Sequence, residues 1–267
     1  MDIIRQGSPV LFQYNQSKKW LVTVSGDETL HTHIGVIRHA DAIGRPYGSR
    51  ITTNKEKYLY LLRPTTYDYI MKIQHGTQIV YPKDIGYILA RSGLEAGQTV
   101  VEIGTGSGAL TTALAGVIRP RGRVHTFDVD ERFIRIAEKN IRRAGMSKYV
   151  VQYTADVMDM TKLPVSDADL AVIDLGDPWS AVPQVRRMLR GSGSLFAVCP
   201  TMNQLEKLAA ALTENEFTDI ECSERILRTI DAREGKTRHS FHGIGHTAYL
   251  CYARKAYFER DGERAED

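Results

Sequence analysis

The chain has 267 residues, 42% of them apolar and 25% charged, and a net charge of +3. This is the composition of a globular protein with one large domain, or a large and a small one. No apolar run approaches the ~20 residues of a membrane span, and Met1-Asp2-Ile3-Ile4-Arg5 lacks the layout of a secretory signal. The three cysteines, Cys199, Cys222 and Cys251, are scattered and odd in number. They point to a reducing, cytoplasmic setting and buried thiols, with neither a disulfide framework nor a Cys-x-x-Cys zinc site.

Residues 1–66 read as a β-rich module. Val10-Leu11-Phe12, Lys19 to Val24 and Lys57 to Leu62 have strand character, with turns at Gly26-Asp27, Gly35, Gly44 and Gly48. Strands at this spacing without helices suggest a small barrel or sheet that helps hold a large substrate. Pro64-Thr65-Thr66 caps a helix over Tyr67 to Ile73, and a second helix runs from Ile85 to Ser92. Asp84 before it reads as a helix cap.

Residues 67–267 alternate strands and helices. Strand patterns fall at Thr99 to Ile103, Arg123 to Phe127, Val150 to Thr154, Ala168 to Ile173 and Ser194 to Cys199. Between and after them lie helical patterns at Ala109 to Val117, Glu131 to Ala144, Pro183 to Leu189 (ending at Gly191) and Met202 to Glu214. Phe217 to Ser223 and Tyr249 to Arg254 are two further strands, and a charged tail follows from Glu259. The order predicts an α/β fold with a doubly wound parallel sheet and ligand sites at the strand C-termini.

The first of these strands enters Glu102-Ile103-Gly104-Thr105-Gly106-Ser107-Gly108, followed at once by Ala109 and a helix. The glycines allow a sharp turn and close approach of a ligand, and the helix start offers free N–H groups. The loop fits S-adenosylmethionine sites, and Gly104, Gly106 and Ala109 also fit the dinucleotide fingerprint. The acids downstream favour the methyl donor. Asp128 stands where an acid can bind a ribose diol. Asp156 can bind an adenine amino group, with the Val157 N–H beside it. Asp174 opens Asp174-Leu175-Gly176-Asp177-Pro178-Trp179, where the methyl group would be delivered. Trp179 either stacks on a base or plugs the loop. His239, His242 and His246 lack the four-ligand set of a zinc site, so no metal is expected. Arginines and lysines cluster at 119–123, 132–143, 186–190 and 225–238. Together they suggest a phosphate-binding surface, although each cluster alone suits a solvated face.

Four stretches carry a family resemblance. They are Thr77-Gln78-Ile79-Val80-Tyr81-Pro82-Lys83-Asp84, the glycine loop, the Asp174 to Trp179 segment and Ile244-Gly245-His246-Thr247-Ala248-Tyr249-Leu250. With these the chain resembles the TrmI-type tRNA (adenine-58-N1)-methyltransferases, archaeal-like branch. The resemblance implies a Rossmann-like class I methyltransferase domain with S-adenosylmethionine as cofactor and tRNA as substrate. It implies a homotetramer and action on adenine 58, with adenine 57 as a second target. It places Val80 at the cofactor and Tyr81 in the active site, with Asp174 as the catalytic acid and His246 as a motif residue facing substrate. Gly176 departs from the family, where proline is common. Two alternatives stay open: another class I methyltransferase, acting on isoaspartate or a small molecule, and a non-catalytic RNA-binding subunit. The latter kind loses the cofactor loop, whereas Gly104, Gly106, Gly108, Asp128 and Asp174 are all present here.

Overall fold

A computed structural model of the chain describes residues 2–74, 76, 78–240 and 245–257. The chain divides into two compact units between Ile73 and Gln74.

The N-terminal unit contains β1 (Pro9–Gln13), β2 (Lys19–Thr23), β3 (Thr29–Thr32), β4 (Gly35–Arg38), β5 (Arg50–Thr52), β6 (Tyr58–Leu62) and α1 (Thr66–Met71). Its main sheet is antiparallel in the order β2-β1-β6-β5, and β3 pairs with β4 in a separate hairpin. It is thus an open sheet plus a hairpin among the described residues, not a closed barrel. Alternating residues of the strands fill one core, with Val10, Phe12, Ile37, Ile51, Leu59 and Leu61 buried. The strands β3 to β5 are too short and polar to read from sequence. The expected boundary at 66/67 lies at 73/74 instead. Thr65 does start α1 with a capping box to Asp68, but a helix start is not a domain edge.

The second unit contains α2 (Pro82–Ser92), β7 (Thr99–Ile103), α3 (Ala109–Ile118), β8 (Arg123–Asp128), α4 (Glu131–Arg143) and β9 (Val150–Thr154). It continues with β10 (Ala168–Ile173), α5 (Val182–Met188), β11 (Leu189–Cys199), α6 (Met202–Glu214) and β12 (Phe217–Glu224). The hairpin β13 (Ile230–Asp231) and β14 (Arg238–His239) leads to β15 (Tyr249–Lys255). Seven strands form one sheet in the order β12-β15-β11-β10-β7-β8-β9. β9, β8, β7, β10 and β11 are parallel neighbours, and β15 runs antiparallel between β11 and β12. From β7 the chain winds outward through β8 and β9. It then returns to β10 on the other side, so the topological switch lies between β7 and β10, where open α/β sheets bind ligands. Val100, Val101, Ala171, Val172, Ile173, Leu195 and Phe196 are buried, as strands covered on both faces require.

Three expectations need correction. α2 starts at Pro82, not Ile85, because proline suits the first helical position. β11 starts at Leu189, before the glycines that read as a turn. Ala168 pairs with Leu189 and Leu170 with Ser194, so Arg190 to Gly193 form an irregularity inside the strand. The cysteines are not all buried. Cys222 is exposed, and it faces Cys251 directly across β12–β15 with the two Sγ atoms 3.3 Å apart. All three are free thiols. Burial pushes Cys199 up to about 12. Cys222 is held below the usual thiol range because Cys251 can donate to its thiolate, and the same bond with burial holds Cys251 above it. The tail from Glu259 lies outside the described residues.

Candidate active site

The site grows out of the end of β7. Gly104, Gly106 and Gly108 all have left-handed φ values, of 99°, 51° and 76°. These are conformations that favour glycine. The Gly104 N–H donates to the Phe127 carbonyl at 2.8 Å, and Asp174 N donates to the Ile103 carbonyl at 2.8 Å. The loop is therefore clamped between the ends of β8 and β10. A Cβ on Gly104 would lie 2.2 Å from the Asp174 carbonyl oxygen. Gly108 gives α3 its start against α4, where a Cβ would meet Ala137 at 3.1 Å.

Three carboxyl groups converge here because their strands are neighbours. Glu102 lies on β7, Asp128 ends β8 and Asp174 follows β10. Asp128 accepts from Gly106 N at 2.9 Å and from Asp130 N at 3.0 Å, so it braces the glycine loop. Burial raises the Asp174 carboxyl to about 6, and the charge of Asp128 adds to this. Glu102 is 1% exposed, and burial raises it to about 8, against the lowering effect of bonds from Thr111 and Thr126. Thr111 Oγ1 donates to it at 2.5 Å.

The Glu102 shift has a stability consequence. Its folded-state value lies above its unfolded one. The stability carried by its protonated form is complete below about 4.5 and is lost as pH rises through about 8. Glu102→Gln keeps an acceptor for Thr111 but has no proton to lose. Between pH 5 and 8, urea unfolding should show the wild type losing a few kcal/mol relative to the variant. Parallel pH profiles for the two proteins would refute this.

Two cavities meet at Gln78, Ile79, Val80 and Asp174. The narrower, of about 20 Å³, runs along Glu102, Gly104, Thr105, Gly106, Ser107 and Ala109. The wider, of about 350 Å³, is lined by Tyr81, Asp84, Pro200, His246 and Thr247. Asp174 thus stands at the junction of a loop cleft and an open chamber. Asp156 and Val157 follow β9 and lie outside both linings. There Asp156 Oδ1 accepts from Met158 N at 2.9 Å, and Val157 is buried. Trp179 is also outside both. Lys207 Nζ sits 4.8 Å from the centre of its ring, so it packs against α6 and does not face the chamber. Nearby, Gln204 Nε2 donates to the Gly176 carbonyl at 2.7 Å.

His246 Nδ1 bonds Glu224 Oε1 at 2.7 Å, and Nε2 bonds the Pro200 carbonyl at 3.1 Å. Both partners accept, so the ring serves best as an imidazolium. Its pKa is raised by the Glu224 bond first and by the Pro200 bond second. His242 lies outside the described residues, as do Thr77 and Ile244 of the quoted motifs.

Asp84 is not a helix cap. It is 1% exposed and bonds Lys83 Nζ at 2.9 Å, while Thr247 Oγ1 donates to its other oxygen at 2.7 Å. This buried pair joins α2 to the lead-in of β15 and so ties together the Tyr81 and His246 sides of the chamber. Sequence spacing could not reveal it, since the partners are 163 residues apart. Lys83→Met leaves the Asp84 charge uncompensated and should cost about 3–5 kcal/mol of stability. Lys83→Met/Asp84→Leu should recover much of that in urea unfolding. A loss under 1 kcal/mol in the single variant would disprove the linkage.

Several basic clusters prove to be paired faces. Arg132 bonds Asp130, Arg135 bonds Glu131, Arg142 bonds Glu138, Arg186 bonds Glu216 and Arg190 bonds Asp169.

Comparison with known proteins decides the lineage. The model of the family described as tRNA methyltransferase complex GCD14 subunit matches residues 57–245. The chain belongs to this family. The GCD14-family chain is 33% identical to the tRNA (adenine(57)-N(1)/adenine(58)-N(1))-methyltransferase TrmI of Methanocaldococcus jannaschii, over 85% of this chain and 88% of the relative. It superposes on TrmI, the tRNA (m1A58) methyltransferase of Aquifex aeolicus, with a TM-score of 0.83, 30% identity and coverage of 96% and 100%. It superposes on a Thermotoga maritima protein described as a SAM-dependent O-methyltransferase with a TM-score of 0.90, 30% identity and 97% coverage of each chain. The GCD14-family chain therefore has the class I methyltransferase fold that its sheet order indicated. Among its described residues no helix is long and apolar enough to cross a membrane.

Proposed function

We propose that this chain transfers a methyl group from S-adenosylmethionine to N1 of an adenine in the tRNA T-loop, at position 58 with position 57 as a second target. The observation that carries the reading is Asp174 at the junction of the glycine-loop cleft and the 350 Å³ chamber. The donor set suits the cofactor. The glycine loop offers backbone close to the ligand, and the Asp128 and Asp174 carboxylates supply negative charge for a cation, while Glu102 stays protonated behind them. Val80, Glu102, Gly104, Thr105, Gly106, Ser107, Gly108, Ala109 and Asp174 would surround it. Asp128 would hold the ribose, and Asp156 with the Val157 N–H the adenine end. When bound, S-adenosylmethionine supplies an electrophilic methyl group on a sulfonium.

Asp174 accepts a hydrogen bond from the amino group of the target adenine. This aims N1, whose lone pair needs no deprotonation before it attacks. Its charge stabilises the positive charge that develops on the ring. Tyr81 and His246 line the chamber that receives the base, and the base reaches it by leaving its stack. Trp179 belongs to the loop support in this reading. The cytoplasmic assembly is a homotetramer, checked on the RNA-free protein by a native mass near four chain masses.

A purified-protein assay with labelled S-adenosylmethionine and an unmodified tRNA transcript tests the reading, with product nucleosides resolved by mass. Label in 1-methyladenosine, abolished when both T-loop adenines become uridine, supports it. The Thermotoga neighbour carries a second reading, methylation of a hydroxyl. Label appearing in a small hydroxyl acceptor but not in tRNA would favour that one.

A further inference from the structure

The outward face of the N-terminal sheet carries side chains that its core does not explain. Alternation along β5 and β6 turns Ile51, Leu59 and Leu61 inward and Arg50, Thr52, Tyr58 and Tyr60 to solvent. Register then builds a row across all four strands. Lys19 on β2 faces Gln13 on β1, Gln13 faces Tyr60 on β6, and Tyr60 faces Arg50 on β5. Thr52 and Tyr58 form the next row. Three strand spacings make the first row about 14 Å long. Tyr58 and Tyr60 are 60% and 44% exposed. The Arg50 guanidinium lies 5.8 Å and 6.0 Å from the two ring centres. The β5–β6 turn adds exposed Lys55 and Lys57 beside Glu56.

We propose that this face is an RNA-binding platform. Unpaired bases of the tRNA stack on Tyr58 and Tyr60, while Lys19 and Arg50 hold the flanking phosphates. The inference rests on the reading of tRNA as substrate. Each ring offers a π face that any base can use, and Arg50 supplies charge beside both rings. Gln13 adds hydrogen-bonding capacity in the same row. The chemistry of the face favours RNA over a second copy of the chain. Among the described residues of this unit the exposed large apolar side chains are Tyr58, Tyr60, Tyr67 and Met71, with no exposed aliphatic patch. Lys19 and Arg50 make the row cationic, the charge that a phosphate backbone selects.

The test compares wild type with Tyr58→Ala/Tyr60→Ala, using an unmodified tRNA transcript. Fluorescence anisotropy without cofactor gives Kd, and steady-state methylation gives kcat and KM. We expect Kd and KM for tRNA to rise tenfold or more. KM for S-adenosylmethionine and kcat at saturating tRNA should hold. Tyr58→Phe/Tyr60→Phe should bind like wild type. Arg50→Ala and Lys19→Gln should each flatten the dependence of log Kd on log salt by about 0.7. A tRNA Kd within twofold of wild type in the double alanine variant, with wild type methylating tRNA, overturns the platform and leaves the function standing. A changed native mass with unchanged tRNA binding makes the face a contact between copies and also overturns it. Wild type that neither binds nor methylates tRNA removes the functional reading itself.

Discussion

Asp174→Asn should lower the methylation rate by about 10²–10³-fold while S-adenosylmethionine still binds. Asparagine keeps the shape and an accepting oxygen, so positioning of the adenine amino group survives. What disappears is the negative charge that faces the developing cation. The pH profile gives a second signature. Burial and the neighbouring charge of Asp128 hold Asp174 up at about 6. Its carboxylate is therefore lost as pH falls through 6, and wild-type kcat/KM should fall about tenfold per unit below that point. Asp128→Asn removes the repulsion and should move this limb to lower pH. Unfolding is easily separated from this effect. The raised value means that the carboxylate opposes folding above about 6, so the asparagine variant should be at least as stable at pH 8. A variant within threefold of wild-type rate would remove Asp174 from the chemistry.

Gly104→Ala should abolish S-adenosylmethionine binding and cost about 2–5 kcal/mol of stability. Two independent penalties act. The backbone is left-handed at φ 99°, and the new Cβ would lie 2.2 Å from the Asp174 carbonyl oxygen. That oxygen cannot retreat freely, because Asp174 N is bonded to Ile103 and Gly104 N to Phe127. Gly97 is the internal control. Its φ is 94°, but a Cβ there meets nothing within 4 Å. Gly97→Ala should show the backbone penalty alone and keep full cofactor affinity. Urea unfolding and calorimetric titration of the two variants separate strain from collision. Equal losses in both would mean that the tight approach to Asp174 does not matter.

The candidate site is legible where it is built from contiguous residues and obscured where it is built from folding. Gly104 to Gly108, Asp128 and Asp174 were readable because strand ends and glycine spacing announce themselves in order. Asp84 misread as a cap because its partner Thr247 lies on another strand lead-in. Trp179 offered two roles, and only its contact with Lys207 on α6 places it outside the chamber.

The sequence by itself determined the alternating strands and helices of the second unit, the glycine loop between β7 and α3, and the β-rich character of the first. Apolar periodicity and glycine position are local properties, written within a few residues. The tertiary structure alone decided the strand order, and with it the meeting of Glu102, Asp128 and Asp174 at one switch point. It also decided the start of β11, the buried Lys83–Asp84–Thr247 link, and the row from Lys19 to Arg50. Each of these depends on which distant segments pair and which charges lose their water. Burial and partner choice are properties of the packed chain, so no window along the sequence contains them.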